Sequence, residues 1–289
     1  KIKVHYQWFQ PGFEPTGQIL PAVSEKYAIL LGDDDLHVPE ALTKGADFLE
    51  NNPDYASAGG RGIAIRLKTS GAYGEIKSIR EYTNKNVEMD TAIERLTYFI
   101  QNLFTVTFTS VSRTENFRKI WVFHQPIIYT WGELFQICYT IACGKNKVLD
   151  CLGIVKQVHD QQWAQLTTED FVKDKKFDEY YELFKEHLAE KITELDGVYH
   201  KPASRFIRWL INEYIELAGI RESKGLASMY ESPKPLRTRI GNRFPLLKTI
   251  YRMFRPKKFH LHAEVQNPKS KYYQDFQQVV KSLQVLNER

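Results

Sequence analysis

Apolar positions recur along this chain with two different periods, and the change of period divides it near residues 165–168. In the first part, residues 1–7, 27–31, 55–67, 104–111 and 147–158 are short apolar or alternating runs. Such runs, where rich in β-branched and aromatic side chains, are predicted as strands. Between them, residues 39–51 place Leu42, Ala46 and Leu49 on one stripe, and residues 90–102 space Ile93, Leu96 and Ile100 as a helix does. Residues 128–143 read as a further helix closed by Gly144, a residue type favoured at helix C-caps. A short helix within 15–26 and a turn at 71–75 complete this part. From Thr168 onward the period is helical, over 169–195, 204–217 and 272–286. The expected fold class is α/β: a sheet flanked by helices in 1–166, then a mainly helical C-terminal region in 167–289.

One acidic cluster interrupts the apolar pattern. Tyr27-Ala-Ile-Leu-Leu-Gly32 runs directly into Asp33-Asp34-Asp35 and on to Leu36-His37-Val38-Pro39. The apolar run suits a buried parallel strand, and the C-terminal edge of such a strand is where open α/β sheets bind ligands. Three adjacent carboxylates repel one another unless a cation or a set of donors compensates. Hard oxygen ligands favour Mg²⁺ or Mn²⁺, and those ions favour phosphate oxygens. The competing reading is an acidic turn in which Asp35 caps the helix that begins at Pro39.

The stretch from Tyr27 to Leu42, followed by Asp47-Phe-Leu-Glu-Asn-Asn-Pro-Asp-Tyr55 and Ala58-Gly59-Gly60, resembles the Asp-x-Asp region of family-2-like GT-A glycosyltransferases. The resemblance runs loosely from Lys1 to His159. It implies a GT-A-like (Rossmann-like) mixed sheet and an inverting, metal-dependent transfer of a sugar from a nucleotide-sugar donor to a hydroxyl acceptor. Carried over residue by residue, it implies that Asp33 and Asp35 position Mn²⁺ or Mg²⁺ and the diphosphate, while Asp34 reaches toward the donor sugar or ribose. Glu133, in Trp131-Gly132-Glu133, stands where the family places its base. Such a base must be partly desolvated for its pKa to rise toward working pH; the competing reading is a first-turn Glu favoured by the helix dipole. His159 stands where some members place a further metal ligand, with Asp160 as its substitute. An ordinary surface histidine is the alternative. Arg113, in Ser110-Val-Ser-Arg113-Thr-Glu115, is expected to clamp a diphosphate or acidic acceptor, against a plain salt bridge to Glu115. Gly59-Gly60-Arg61 is expected to let a substrate approach the backbone. A GT-A domain also has an earlier strand–helix–strand unit that grips the nucleotide base. Nothing here corresponds to it, so a missing N-terminal part is expected.

Composition changes the picture in two places. With 289 residues, 43% hydrophobic and 13% aromatic, the chain can bury one large core or two smaller ones. Cys138, Cys143 and Cys151 lack paired metal spacing and fall on apolar segments, as buried reduced thiols of a cytosolic protein do. No apolar stretch reaches membrane-span length, and no signal peptide is visible. Charge is uneven: residues 233–258 hold nine Lys and Arg and no acid, which leaves −4 elsewhere in a chain of net +5. Phe244, Leu247, Ile250, Tyr251 and Phe254 recur there at helical spacing. That pattern is expected to make peripheral contact with an anionic membrane surface, at the cytoplasmic face; a helix packed on the catalytic domain is the alternative. Expected partners are a nucleotide-sugar donor and a glycan or lipid-linked acceptor, in cell-surface glycan synthesis, with no nucleic acid. Two rival functions stand beside this one. Metal-dependent nucleotidyl or phosphoryl transfer would need a further carboxylate, for which Asp150 is the candidate. The other is a catalytically inactive glycan- or membrane-binding module.

Overall fold

The computed structural model describes residues 19–32, 34–69, 73–82, 84–103, 109–122, 129–158, 168–223 and 259–284. Among them, Tyr27–Ala28 (β1), Leu36–His37 (β2), Tyr55–Leu67 (β3), Ile76–Tyr82 (β4), Val111–Arg113 (β5) and Lys145–Gln157 (β6) form one sheet. Its order is β1-β5-β3-β6-β2, and β4 pairs with β3. β3 and β6 are parallel, and the other pairings are antiparallel. β6 takes one edge of β3 along its length, so β5 and β4 follow one another along the other edge, at Ser57–Ala58 and Gly62–Leu67. The molecule is thus α/β, with a mixed sheet flanked by helices.

β3 spans the expected 55–67. It is buried on both faces, which explains its near-continuous small and apolar sequence rather than a clean alternation. The run at 27–31 differs from expectation. Only Tyr27–Ala28 joins the sheet, antiparallel to β5, and Leu31 is 53% exposed. Its apolar residues serve one side: Tyr27 and Ile29 pack beside Leu49, Ala58 and Val111. The pattern at 76–82 gave no strand signal, because Ile76, Ile79 and Tyr82 recur every third residue. The strand forms as the return arm of a hairpin, with Lys68 N–H on Glu75 C=O at 2.8 Å. Of the strand expected at 104–111, residues 104–108 lie outside the described residues, and pairing begins at Val111. The strand expected at 1–7 and the basic segment 233–258 also lie outside them.

The helices are Pro39–Asn51 (α1), Ala92–Asn102 (α2), Thr114–Val122 (α3), Tyr129–Cys143 (α4), Thr168–Lys173 (α5), Phe177–Asp196 (α6), His200–Ser223 (α7), Leu261–Glu264 (α8) and Lys271–Gln284 (α9). α1 starts at Pro39, as the sequence indicates, but its cap is Val38 with no side-chain hydrogen bond, so Asp35 does not cap it. Its buried face is Ala41, Gly45 and Leu49; Leu42 and Ala46 sit at the margin. α2 is capped twice. Thr91 and Glu94 form a capping box, and the Asp196 carboxylate accepts the Ala92 and Ile93 N–H groups at 2.8 and 2.9 Å. Buried Arg95 then donates to the carbonyls of Ile141 and Ala142 at the end of α4, and to those of Met89 and Asp90. The single helix expected at 169–195 is two helices, parted at Asp174, whose side chain takes the Lys176 N–H at 2.7 Å.

The helices after residue 167 share their cores with the first region. Tyr180, Phe184, Leu188 and Ile192 of α6, and Ile207 and Leu210 of α7, join Leu96 and Ile100 of α2 and Leu134 and Ile141 of α4 in one apolar cluster. α9 buries Tyr272, Phe276, Val279 and Leu283 against Ile63, Ile65 and Leu152 of the sheet. One pair of glycines makes the central pairing possible. A Cβ on Gly60 would lie 2.5 Å from Gly153 N and 2.6 Å from Gly153 Cα, both backbone, at a register shift between β3 and β6. Gly60 therefore serves the close approach of β3 and β6. Cys138 and Cys151 are buried free thiols, and burial pushes the half-buried Cys143 thiol up to about 12.

Candidate functional site

The acidic turn is built by the last residues before β2. Beyond β1 the chain runs to Gly32, and a turn closes with Asp35 N–H on the Gly32 carbonyl at 3.3 Å. β2 then locks onto β6 with Leu36 opposite Val155 and His37 opposite Ile154, and Val38 N–H donates to Gly153 C=O at 2.9 Å. This pairing brings Asp35 to the C-terminal end of β6. Its Oδ1 accepts the Gln157 backbone N–H at 3.3 Å, and its Oδ2 lies 3.7 Å from Lys156 Nζ. The Asp35 side chain is only 6% exposed. Burial pushes its carboxyl above the usual range; Lys156 and the Gln157 N–H pull the other way without overcoming it, and neighbouring Asp34 adds to the rise.

Asp34 and Asp35 both bring a carboxylate oxygen close to Gly32. A Cβ placed on Gly32 would sit 3.3 Å from Asp34 Oδ1 and 3.4 Å from Asp35 Oδ2. Asp33 lies outside the described residues, as does His159, which follows the β6 end through Val158. His37, a residue not singled out from sequence, stands next to this turn. Its Nε2 is buried with no hydrogen-bond partner among the described residues, and burial lowers its pKa.

The other expected residues stand on other elements. Arg113 spends its guanidinium on backbone: Nε donates to Tyr55 C=O at 3.0 Å, and Nη2 to Leu49 and Asn52 C=O at 2.8 and 3.0 Å. It thereby ties the C-terminal carbonyls of α1 to the start of β3. This cation positions a helix, and it also borders a depression of about 350 Å³ with Lys26, Glu115 and Arg118. Glu133 is half-buried in the first turns of α4, where the sequence puts it. Asp150 stands on β6, six residues before Lys156, and is fully engaged. It accepts from Lys271 Nζ and Tyr272 OH on α9 and from Arg61 Nε at 3.1 Å. Lys271 and Tyr272 hold its carboxyl well below the usual carboxylate range.

A second group of ligating side chains lies on the opposite edge of the sheet: Glu81 of β4 with His260 and His262. Sequence reasoning passed over it because Glu81 and the histidines are some 180 residues apart; only the His-Leu-His spacing was visible. No helix among the described residues is long and apolar enough to cross a membrane. The chain matches no protein-family model and no curated protein.

Proposed function

We propose that this protein is a metal-dependent glycosyltransferase that moves a sugar from a nucleotide-sugar donor to a hydroxyl acceptor with inversion. The observation that carries the reading is the state of Asp35. A carboxylate with little exposure, at a strand's C-terminal end, is compensated by one lysine at 3.7 Å and one amide. Burial raises its pKa rather than lowering it, which supports reading this turn as a ligand site. The GT-A-like resemblance of the same residues supplies the reaction class.

The residues present fit a divalent cation. Two carboxylates converge beside Gly32, all their donors are hard oxygen, and the charge around Asp35 is incompletely neutralised. In this reading Asp33 and Asp35 would hold Mn²⁺ or Mg²⁺, with His159 as a further ligand. When bound, the ion would neutralise charge on the departing nucleoside diphosphate. Asp34 orients the donor through its sugar or ribose hydroxyls. Glu133 holds the proton leaving the acceptor hydroxyl, and its half-buried place on α4 suits a carboxylate that must be a base. Lys156 shifts from the Asp35 carboxylate to the phosphate side as ligand arrives, a role its flexible stem permits. A membrane contact through 233–258 and a lipid-linked or surface glycan acceptor belong to this proposal as well.

The rival phosphoryl-transfer reading loses its extra ligand, since Asp150 is committed to Lys271, Tyr272 and Arg61. Calorimetric titration of the chain with UDP, GDP and CMP, with Mn²⁺ and again with EDTA, tests the proposal. One nucleotide should bind only with metal, and Asp35→Ala should weaken it about 100-fold or more. Binding that ignores both EDTA and Asp35→Ala would overturn the assignment. Absence of any nucleotide binding would favour the inactive-module reading.

A further inference from the structure

We infer that Glu81, His260 and His262 form a binding site for a single Zn²⁺ ion that fastens the C-terminal arm to the edge of the sheet. This site is separate from the acidic turn and does not rest on the transferase reading. Glu81 lies on β4, where β3 is its sheet partner. His260 and His262 flank Leu261, which is 4% exposed within the cluster that α9 forms with β3 and β6. Burial of Leu261 fixes the backbone between the two imidazoles. Its N–H donates to Glu81 Oε1 at 2.9 Å, which fixes the carboxylate in turn.

The separations suit the metal. Glu81 Oε1 is 3.4 Å from His260 Nδ1 and 3.6 Å from His262 Nδ1, and the three ligating atoms lie within 4.8 Å of one another. A tetrahedral ion with bonds of about 2.0–2.2 Å needs ligand atoms roughly 3.3–3.6 Å apart. Two pairs already meet that requirement. The third closes by rotating exposed imidazoles whose ring centroids are 5.4 Å apart. Two neutral nitrogens and one carboxylate form a donor set that Zn²⁺ takes readily, with solvent in the fourth position. The Leu261 N–H is the outer partner that such a carboxylate ligand needs. Capping of the short helix α8 accounts for Glu81 alone. It gives no reason for two imidazoles to converge on the same oxygen.

The consequence is mechanical. Chain positions 81 and 260 are joined, so the ion closes a very long loop and holds α8 and α9 on the sheet. Clips across long loops restrict the unfolded chain most.

The test uses the full chain, stripped with EDTA and titrated with ZnCl₂ alone by calorimetry and by thermal unfolding. The expected result is one ion bound here, in addition to any ion the acidic turn takes, and a melting temperature that rises with Zn²⁺. Glu81→Gln, which keeps the Leu261 contact, and His262→Ala should each weaken binding about tenfold or more and lose the rise. Their metal-free melting temperatures show that they fold. Asp35→Ala should keep the ion that Glu81→Gln and His262→Ala lose, whatever the acidic turn itself takes. Equal affinity in parent, Glu81→Gln and His262→Ala would overturn the site, and loss of binding in Asp35→Ala would assign the ion to the acidic turn instead.

Discussion

Asp35 and Asp150 are two carboxylates served by the same strand, and they are treated in opposite ways. They meet β6 six residues apart, about 20 Å along an extended strand. Asp150 is 62% exposed and has two cations and a phenol around it, so folding makes it a stronger acid. Asp35 is 6% exposed and has one lysine at 3.7 Å, so folding makes it a weaker one. The exposed carboxylate, for which water alone would suffice, receives the partners. The buried one, which needs partners, is left short of them. A fold selected only for stability would do the reverse. In the transferase proposal this shortfall at Asp35 is where a cation would supply positive charge, while Asp150 is structural: it pins α9 to the sheet.

The largest disturbance of this comparison should come from Gly60→Ala. Its Cβ would strike backbone atoms of Gly153, midway between the two carboxylates on β6, so the strands must part. A loss of about 3 kcal/mol is expected in urea unfolding, with both sites impaired together. Arg113→Ala should cost about 2 kcal/mol, because three carbonyls lose a charged donor. Nucleotide affinity should not follow that loss; a parallel drop would return Arg113 to the ligand site. Asp150→Asn should cost about 1 kcal/mol or less at pH 7, since its ion pairs are exposed. The sign of its pH dependence follows from a depressed folded pKa. The contribution is present above the ordinary carboxylate value of 3.8 and fades as pH falls below it, so parent and variant should converge in acid unfolding.

Local signals in the chain were strong where one element decided its own fate. Pro39 and the apolar stripe behind it announced α1, and the small apolar run at 55–67 announced β3. They were weak where a distant partner decided. β4 exists because β3 offers it an edge, and its own spacing of three disguises it. The antiparallel setting of β1 depends on β5, where Tyr27 faces Arg113, and the composition of 27–31 could not convey that. Asp34 and Asp35 were conspicuous because adjacent carboxylates are costly, and their service to a ligand is a proposal. The fate of Arg113 was not conspicuous, since its partners are main-chain carbonyls that no side-chain pattern reports. Likewise, Lys156 and His37 became relevant only when β2 paired with β6. The grouping of Glu81 with His260 and His262 required the C-terminal arm to return to the sheet.

The central claim is that Asp35 is held at a cost and Asp150 at a gain. Thermal unfolding of the parent, Asp35→Asn and Asp150→Asn at neutral pH in EDTA tests it directly. The neutral amide at position 35 can still accept the Gln157 N–H through its oxygen, so the comparison isolates charge. Because the folded pKa of Asp35 is raised, the parent loses stability as pH climbs above the ordinary value of 3.8 through the folded pKa. Asp35→Asn should therefore melt above the parent at neutral pH, and Asp150→Asn below it. If Asp35→Asn melts below the parent as Asp150→Asn does, Asp35 is a satisfied structural carboxylate and the account fails.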